Sequence, residues 1–269
     1  MDKRPIGIFD SGLGGLTVLK EISKIMPEED LVYFGDSKRT PYGSKSKETI
    51  INFSIQDVNF LLSKNIKALV IACNTVSSNA INELKERFDI PIIEVISPGV
   101  SLSTRVTKNK RIGVIGTRAT VESGAYESSI KSIDKNMTVF SKSCPLFVPL
   151  VEEGQLWWNH HITKEIIRFY LDEFIAIDVD TMVLGCTHYP LLIDAINEVL
   201  EGRITLINSA GEVAKGASAI LEDMNLRNFS HIGETYLYTS DSAEKFIPLA
   251  KDILQRSDIH AEKIDIENY

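Results

Sequence analysis

Ile6-Gly7-Ile8-Phe9-Asp10-Ser11 comes round again 106 residues further on as Ile112-Gly113-Val114-Ile115-Gly116-Thr117. Leu69-Val70-Ile71-Ala72-Cys73-Asn74-Thr75 comes round after 113 residues as Met182-Val183-Leu184-Gly185-Cys186-Thr187-His188. Short apolar runs that end in polar or glycine residues and feed helix-spaced apolar positions read as buried parallel strands followed by helices. A third echo sets Phe147-Val148-Pro149-Leu150-Val151-Glu152 where Leu31-Val32-Tyr33-Phe34-Gly35-Asp36 stood, which predicts a strand there. Three echoes in matching order predict an internal duplication: two similar α/β units with mainly parallel sheets, related by pseudo-twofold symmetry. Ser97-Pro98-Gly99 reads as the boundary between them.

Ligands of open α/β sheets bind beyond the carboxyl ends of the strands. Cys73 and Cys186 both stand there, and two facing units would set them on opposite sides of one interdomain cleft. Three cysteines are too few for a disulfide framework, and Cys144, between Ser143 and Pro145, reads as a small buried hydrophobe. A zinc site would show C-x-x-C or His at defined spacing, and a redox pair would show C-x-x-C; each loop here carries one Cys. Paired acid and base work fits best: one thiolate takes a proton from carbon while the other thiol supplies one from the opposite face. A thiol titrating near 8.5 is only a few per cent thiolate at neutral pH, so it needs a helper. Asp10 is placed to serve Cys73, and His188 with Glu152 to serve Cys186.

Ser11-Gly12-Leu13-Gly14-Gly15 is a tight turn into a helix bearing Leu16, Leu19, Ile22 and Met26 on one face, closed by Pro27. Thr17 stands where a dinucleotide fingerprint needs its third Gly, so the turn fits a small anionic ligand better, with Asp10 and Ser11 facing it. In the loop Asp36 to Gly43, Tyr42 is either a packing aromatic or a ligand contact. A helix over 47–64 is predicted to bury Ile51, Ile55, Val58 and Leu62. Trp157-Trp158 and His160-His161 follow Glu152-Glu153; the paired His read as unliganded, and an exposed Trp pair would suggest a subunit or regulatory contact. A net charge of −8 and a pI near 5.3 argue against a nucleic-acid partner. No run approaches a membrane span or a signal peptide, so a cytoplasmic location is expected.

Asp10-Ser11-Gly12-Leu13-Gly14-Gly15, Thr40-Pro41-Tyr42-Gly43, Ala72-Cys73-Asn74-Thr75, Pro149-Leu150-Val151-Glu152 and Gly185-Cys186-Thr187-His188-Tyr189-Pro190-Leu191 together closely resemble glutamate racemase, of the cofactor-independent aspartate/glutamate racemase superfamily. Five motifs in order from Ile6 to about Ala214 carry the resemblance. In the related aspartate racemases the position of His188 is typically Glu, so this His favours glutamate. The resemblance implies that Cys73 attacks D-glutamate and Cys186 L-glutamate, with Asp10 helping the first and His188 with Glu152 the second. It implies that Ser11, Tyr42, Gly43, Asn74, Thr75 and Thr187 hold the substrate, with Thr117 and Thr120 as additions, and that neither pyridoxal phosphate nor metal takes part. D-glutamate would then supply peptidoglycan synthesis. The tail is expected to fold back onto the first unit, giving one domain from 1–97 with 209–269 and a second from 98–208. A homodimer is expected. The alternatives are a racemase for aspartate or another acidic compound, and a two-lobed protein that binds an acidic amino acid without chemistry.

Overall fold

The computed structural model describes residues 2–269. Ten strands occur in it: β1 (Ile6–Asp10), β2 (Leu31–Gly35), β3 (Ala68–Ile71), β4 (Ile92–Glu94), β5 (Arg111–Gly116), β6 (Thr138–Ser143), β7 (Thr181–Gly185), β8 (Thr205–Ile207), β9 (Thr235–Thr239) and β10 (Ala261–Lys263). They form two sheets, ordered β10-β9-β2-β1-β3-β4 and β6-β5-β7-β8, and every pairing is parallel. The second sheet repeats the order β2-β1-β3-β4 of the first. Register repeats too, since Gly7 lies opposite Leu69 and Gly113 opposite Met182.

The third echo is corrected. Phe147–Glu152 is a helix, and β6 occupies the place of β2. β6 is an edge strand of Thr, Ser and Lys with half-buried apolar positions, so it carries no apolar run to notice. The apolar run after it is helical because Phe147, Val148 and Val151 turn one face into the core. Ser97-Pro98-Gly99, read above as a boundary, lies in the first turn of the helix Ile96–Val106, where a proline forfeits no intrahelical hydrogen bond. The helix Lys47–Ser63 buries Ile50, Ser54, Asp57, Val58, Phe60 and Leu61, a face turned by about one position from the expected one.

The tail closes the first sheet. β9 pairs with β2 from Leu31 opposite Thr235 to Gly35 opposite Thr239, and β10 extends it. The helix Leu16–Ile25 buries Leu16, Val18, Leu19 and Ile22 against the sheet and against Val213, Ala214, Ala217 and Leu221 of the helix Ala210–Asp223. Each large side chain so buried stabilises by about 1.5–3 kcal/mol. Among the described residues no helix is long and apolar enough to cross a membrane.

Candidate active site

Both sheets end at a cavity of about 290 Å³ between the units. The first unit lines it with Ser11 after β1, Cys73, Asn74 and Thr75 after β3, and the loop Thr40 to Gly43. The second lines it with Thr117 after β5, Val148, and Cys186, Thr187 and His188 after β7. The repeated strand plan therefore brings the two thiols to one space from opposite units. Asp10, Thr120 and Glu152 stand behind this lining.

Close approach of the units depends on two glycines. A Cβ at Gly14 would collide with Thr187 Oγ1 and the His188 ring, and one at Gly43 with the Thr117 side chain. Across the seam, the Thr75 hydroxyl lies 2.9 Å from that of Thr117 and 3.3 Å from that of Thr120. Thr117 also caps the helix Arg118–Glu122, accepting from the Thr120 amide at 3.2 Å. Asn74 Nδ2 donates to the Tyr126 hydroxyl at 2.8 Å, and Thr187 Oγ1 donates to Asp10 Oδ1 at 3.1 Å.

The two thiols have different surroundings. Cys73 stands at the N-cap of the helix Asn74–Asn79, and its partner is the Ser11 hydroxyl at 3.5 Å, not Asp10. Burial and the nearby Asp10 charge push the Cys73 thiol up to about 12, against the Ser11 hydroxyl and the amides of Val76 and Ser11. Asp10 is wholly buried at the end of β1 and accepts from the Gly12 amide at 3.0 Å. Burial holds its carboxyl above the ordinary carboxylate range, opposed by the His188 charge and by the Thr187 hydroxyl. The Cys186 sulfur faces His188 Nδ1 at 3.8 Å, and His188 Nε2 faces Glu152 Oε1 at 3.2 Å. Burial alone would lower His188, but hydrogen bonds to Cys186 and Glu152 outweigh it and hold the imidazole well above its usual value.

Tyr42 lines the cavity, but its hydroxyl is committed to Asp36 and, at 3.0 Å, to Asp57. Arg39 joins both carboxylates, to Asp36 at 2.5 Å and to Asp57 at 2.9 Å, and lies over the Phe53 ring. Asp57 is raised well above a normal carboxyl by burial and by Asp36 beside it. This network fixes the loop that carries Gly43. Tyr126 and Asp57 escaped the sequence reading because their partners lie far off in the chain, and Asp36 and Arg39 because no local motif marks their pairing within the loop. Thr40 did fall within a quoted motif; its Oγ1 is buried without a hydrogen-bond partner and borders the cavity.

Among the described residues no group of three His, Cys, Asp or Glu could hold a metal ion. His160 caps the helix His161–Ala176 by accepting from the Ile162 amide. Trp157 and Trp158 are half-buried rather than an exposed pair, with Trp158 Nε1 donating to the Val151 carbonyl at 3.0 Å.

The profile of the family described as Asp/Glu/Hydantoin racemase matches residues 10–216. A glutamate racemase of Persephonella marina is 48% identical over 97% of both chains, and one of Aquifex aeolicus is 48% identical over 93% of both. The crystal structure of glutamate racemase from Francisella tularensis in complex with D-glutamate superposes with a TM-score of 0.93 at 38% identity, with all of each chain covered.

Proposed function

Because the chain belongs to the Asp/Glu/hydantoin racemase family, and within it to the glutamate racemases, which are isomerases, we propose that it interconverts L- and D-glutamate with Cys73 and Cys186 as the two bases. The observation that carries this reading is that the two thiols line one cavity from opposite units, each with its own polar partner. A thiolate on one side takes the α-proton, so that an S–H bond forms as C–H breaks. The thiol on the other side gives its proton to the opposite face of the carbanion and is left as thiolate. Cys186 would take the proton from L-glutamate, with the His188–Glu152 pair holding the compensating charge. Cys73 would take it from D-glutamate, with Ser11 as hydrogen-bond donor and Asp10 behind it.

The chemical difficulty is the weak acidity of an amino-acid α-carbon. Negative charge developing on the carboxylate needs fixed donors in a water-poor site, and such donors are worth far more there than in water. The hydroxyls of Thr75 and Thr117, with the second Asn74 amide proton and the Gly43 backbone, supply them in this reading, while Ser11 serves the Cys73 sulfur and the Thr187 proton stays on Asp10. Thr40, whose hydroxyl is buried without a partner, belongs to the same lining. Cys73 rests as the thiol, so its turn as base calls for the substrate ammonium nearby. Supply of D-glutamate to peptidoglycan synthesis, a cytoplasmic location and a homodimer complete the proposal.

The test is proton NMR of each glutamate enantiomer in deuterated buffer with circular dichroism of the same samples. Loss of the α-proton signal with decay of ellipticity from both enantiomers is expected. Cys73→Ala and Cys186→Ala should each lose racemisation by at least about 10²–10⁴-fold, the usual worth of a general acid or base. Near-normal racemisation in either variant would overturn the two-thiol reading, and turnover of aspartate alone would overturn the substrate.

A further inference from the structure

Outside the catalytic cavity lies a second, larger one of about 560 Å³. Pro41, Gly43, Thr117 and Val148 line both, so the two spaces adjoin across these four residues. The rest of its lining is Ser44, Pro145, Pro149 and Arg118. It is thus an apolar vestibule with one charged side chain. No carboxylate lines it, and Arg118 is exposed, with no ion pair or side-chain hydrogen bond to any described residue.

Charge makes this arrangement informative. The lining of the catalytic cavity contains no Lys or Arg, Asp10 and Glu152 stand behind that lining, and the chain as a whole carries a formal charge of −8. Glutamate is itself an anion with two carboxylates and must approach against that field. Arg118 directly follows Thr117, which belongs to both spaces, so its guanidinium is the one Lys or Arg cation that lines the space next to the catalytic cavity. A planar guanidinium with free donors matches a carboxylate in a two-pronged geometry, and its desolvation is small compared with that of an ammonium.

We propose that Arg118 forms a first anion subsite in this vestibule, which captures a carboxylate of incoming glutamate and hands the amino acid on to the adjoining cavity that holds the two thiols. The inference rests on the racemase reading of the inner cavity. Arg118 is a positioning residue, since it touches neither thiol and its effect belongs to capture and binding, not to proton transfer.

Initial rates for both enantiomers, followed by circular dichroism, test this with the wild-type chain, Arg118→Gln and Arg118→Lys over ionic strengths of about 0.02–0.3 M, a range across which screening changes strongly. Arg118→Gln should raise KM roughly 3- to 10-fold for both enantiomers, leave kcat within about twofold and flatten the fall of kcat/KM with salt, as removal of one steering charge does. Arg118→Lys should restore most of the salt dependence. An unchanged KM and salt slope in Arg118→Gln, or a loss confined to kcat, would overturn the subsite while wild-type turnover keeps the racemase reading intact. A wild-type chain that leaves glutamate unchanged would overturn that reading, and the subsite with it.

Discussion

Thr187 Oγ1 donates to Asp10 Oδ1 at 3.1 Å, so a hydroxyl of the second unit is bound by a fully buried carboxyl of the first. Asp10 has the Gly12 amide on its other oxygen. Removing the hydroxyl therefore strips a buried acceptor of a side-chain donor, which costs about 1–3 kcal/mol. Thr187→Val should lower the urea midpoint accordingly without changing the slope of the transition, and Thr187→Ser should recover most of it. An unaltered midpoint in Thr187→Val would show that water replaces the hydroxyl there.

Cys73 titrates at about 12 because it is buried beside Asp10. Only the thiolate is alkylated, and the thiolate fraction rises as pH approaches the pKa from below. Iodoacetamide labelling of Cys73, followed by peptide mass spectrometry, should therefore accelerate about tenfold per pH unit between pH 7 and 10. A plateau near pH 8 would mean an ordinary thiol. Cys144, pushed up by burial and outside the cavity, should label no faster than Cys73 over that range.

The Tyr42 hydroxyl has one proton and two carboxylates to receive it, with Arg39 bound to both. Tyr42→Phe keeps the ring on Phe53, whose centroid is 5.4 Å away, but frees the loop from Asp36 and Asp57. KM for glutamate should rise more than kcat falls, with a stability loss of about 1–3 kcal/mol from the two carboxylates left short of a donor. If kcat falls while KM stays put, Tyr42 acts in the chemistry and not through the loop.

Gly14 stands where a methyl group would meet Thr187 and His188. Its φ is not positive, so Gly14→Ala is not a backbone problem but a steric one at the seam. Overpacking of this kind costs about 1–3 kcal/mol, and here the strain falls on the side chains around Cys186. Racemisation should drop at least about tenfold, because small misplacements of reacting groups carry large rate penalties. Full activity in Gly14→Ala would show that the units can part slightly without loss.

The repeated plan was legible because buried parallel strands write continuous apolar runs, and strand ends write the change to Cys, Thr and Asn. What escaped has a common cause. β6 is half-exposed and polar, so its place was given to the helix Phe147–Glu152, whose apolar residues are more conspicuous. The buried face of Lys47–Ser63 was set by apolar residues alone, whereas Ser54 and Asp57 are inside because the Ile50 carbonyl and the Arg39–Tyr42 network receive them. Pro98 falls inside a helix although proline breaks helix interiors, because the third position of a helix has no bond to lose. Of the site, the residues within motifs reached the cavity, or the layer behind it, from both units. Tyr126 did not announce itself, since its role comes from a hydrogen bond to Asn74, 52 positions away in the chain.

The two halves share one strand order, and in the proposed reaction a rotation that exchanges them would also exchange the two faces of a planar carbanion held between them. A chiral molecule can have no mirror plane, so this is how a protein comes to treat left- and right-handed substrates alike. The likeness is incomplete, with Ser11 beside one sulfur and His188 with Glu152 beside the other. Yet enantiomers have equal free energy in water, so kcat/KM must be the same in both directions at every pH. The chemical inequality of the halves can surface only as a compensated split: whichever enantiomer turns over faster when saturating also has the larger KM, by the same factor.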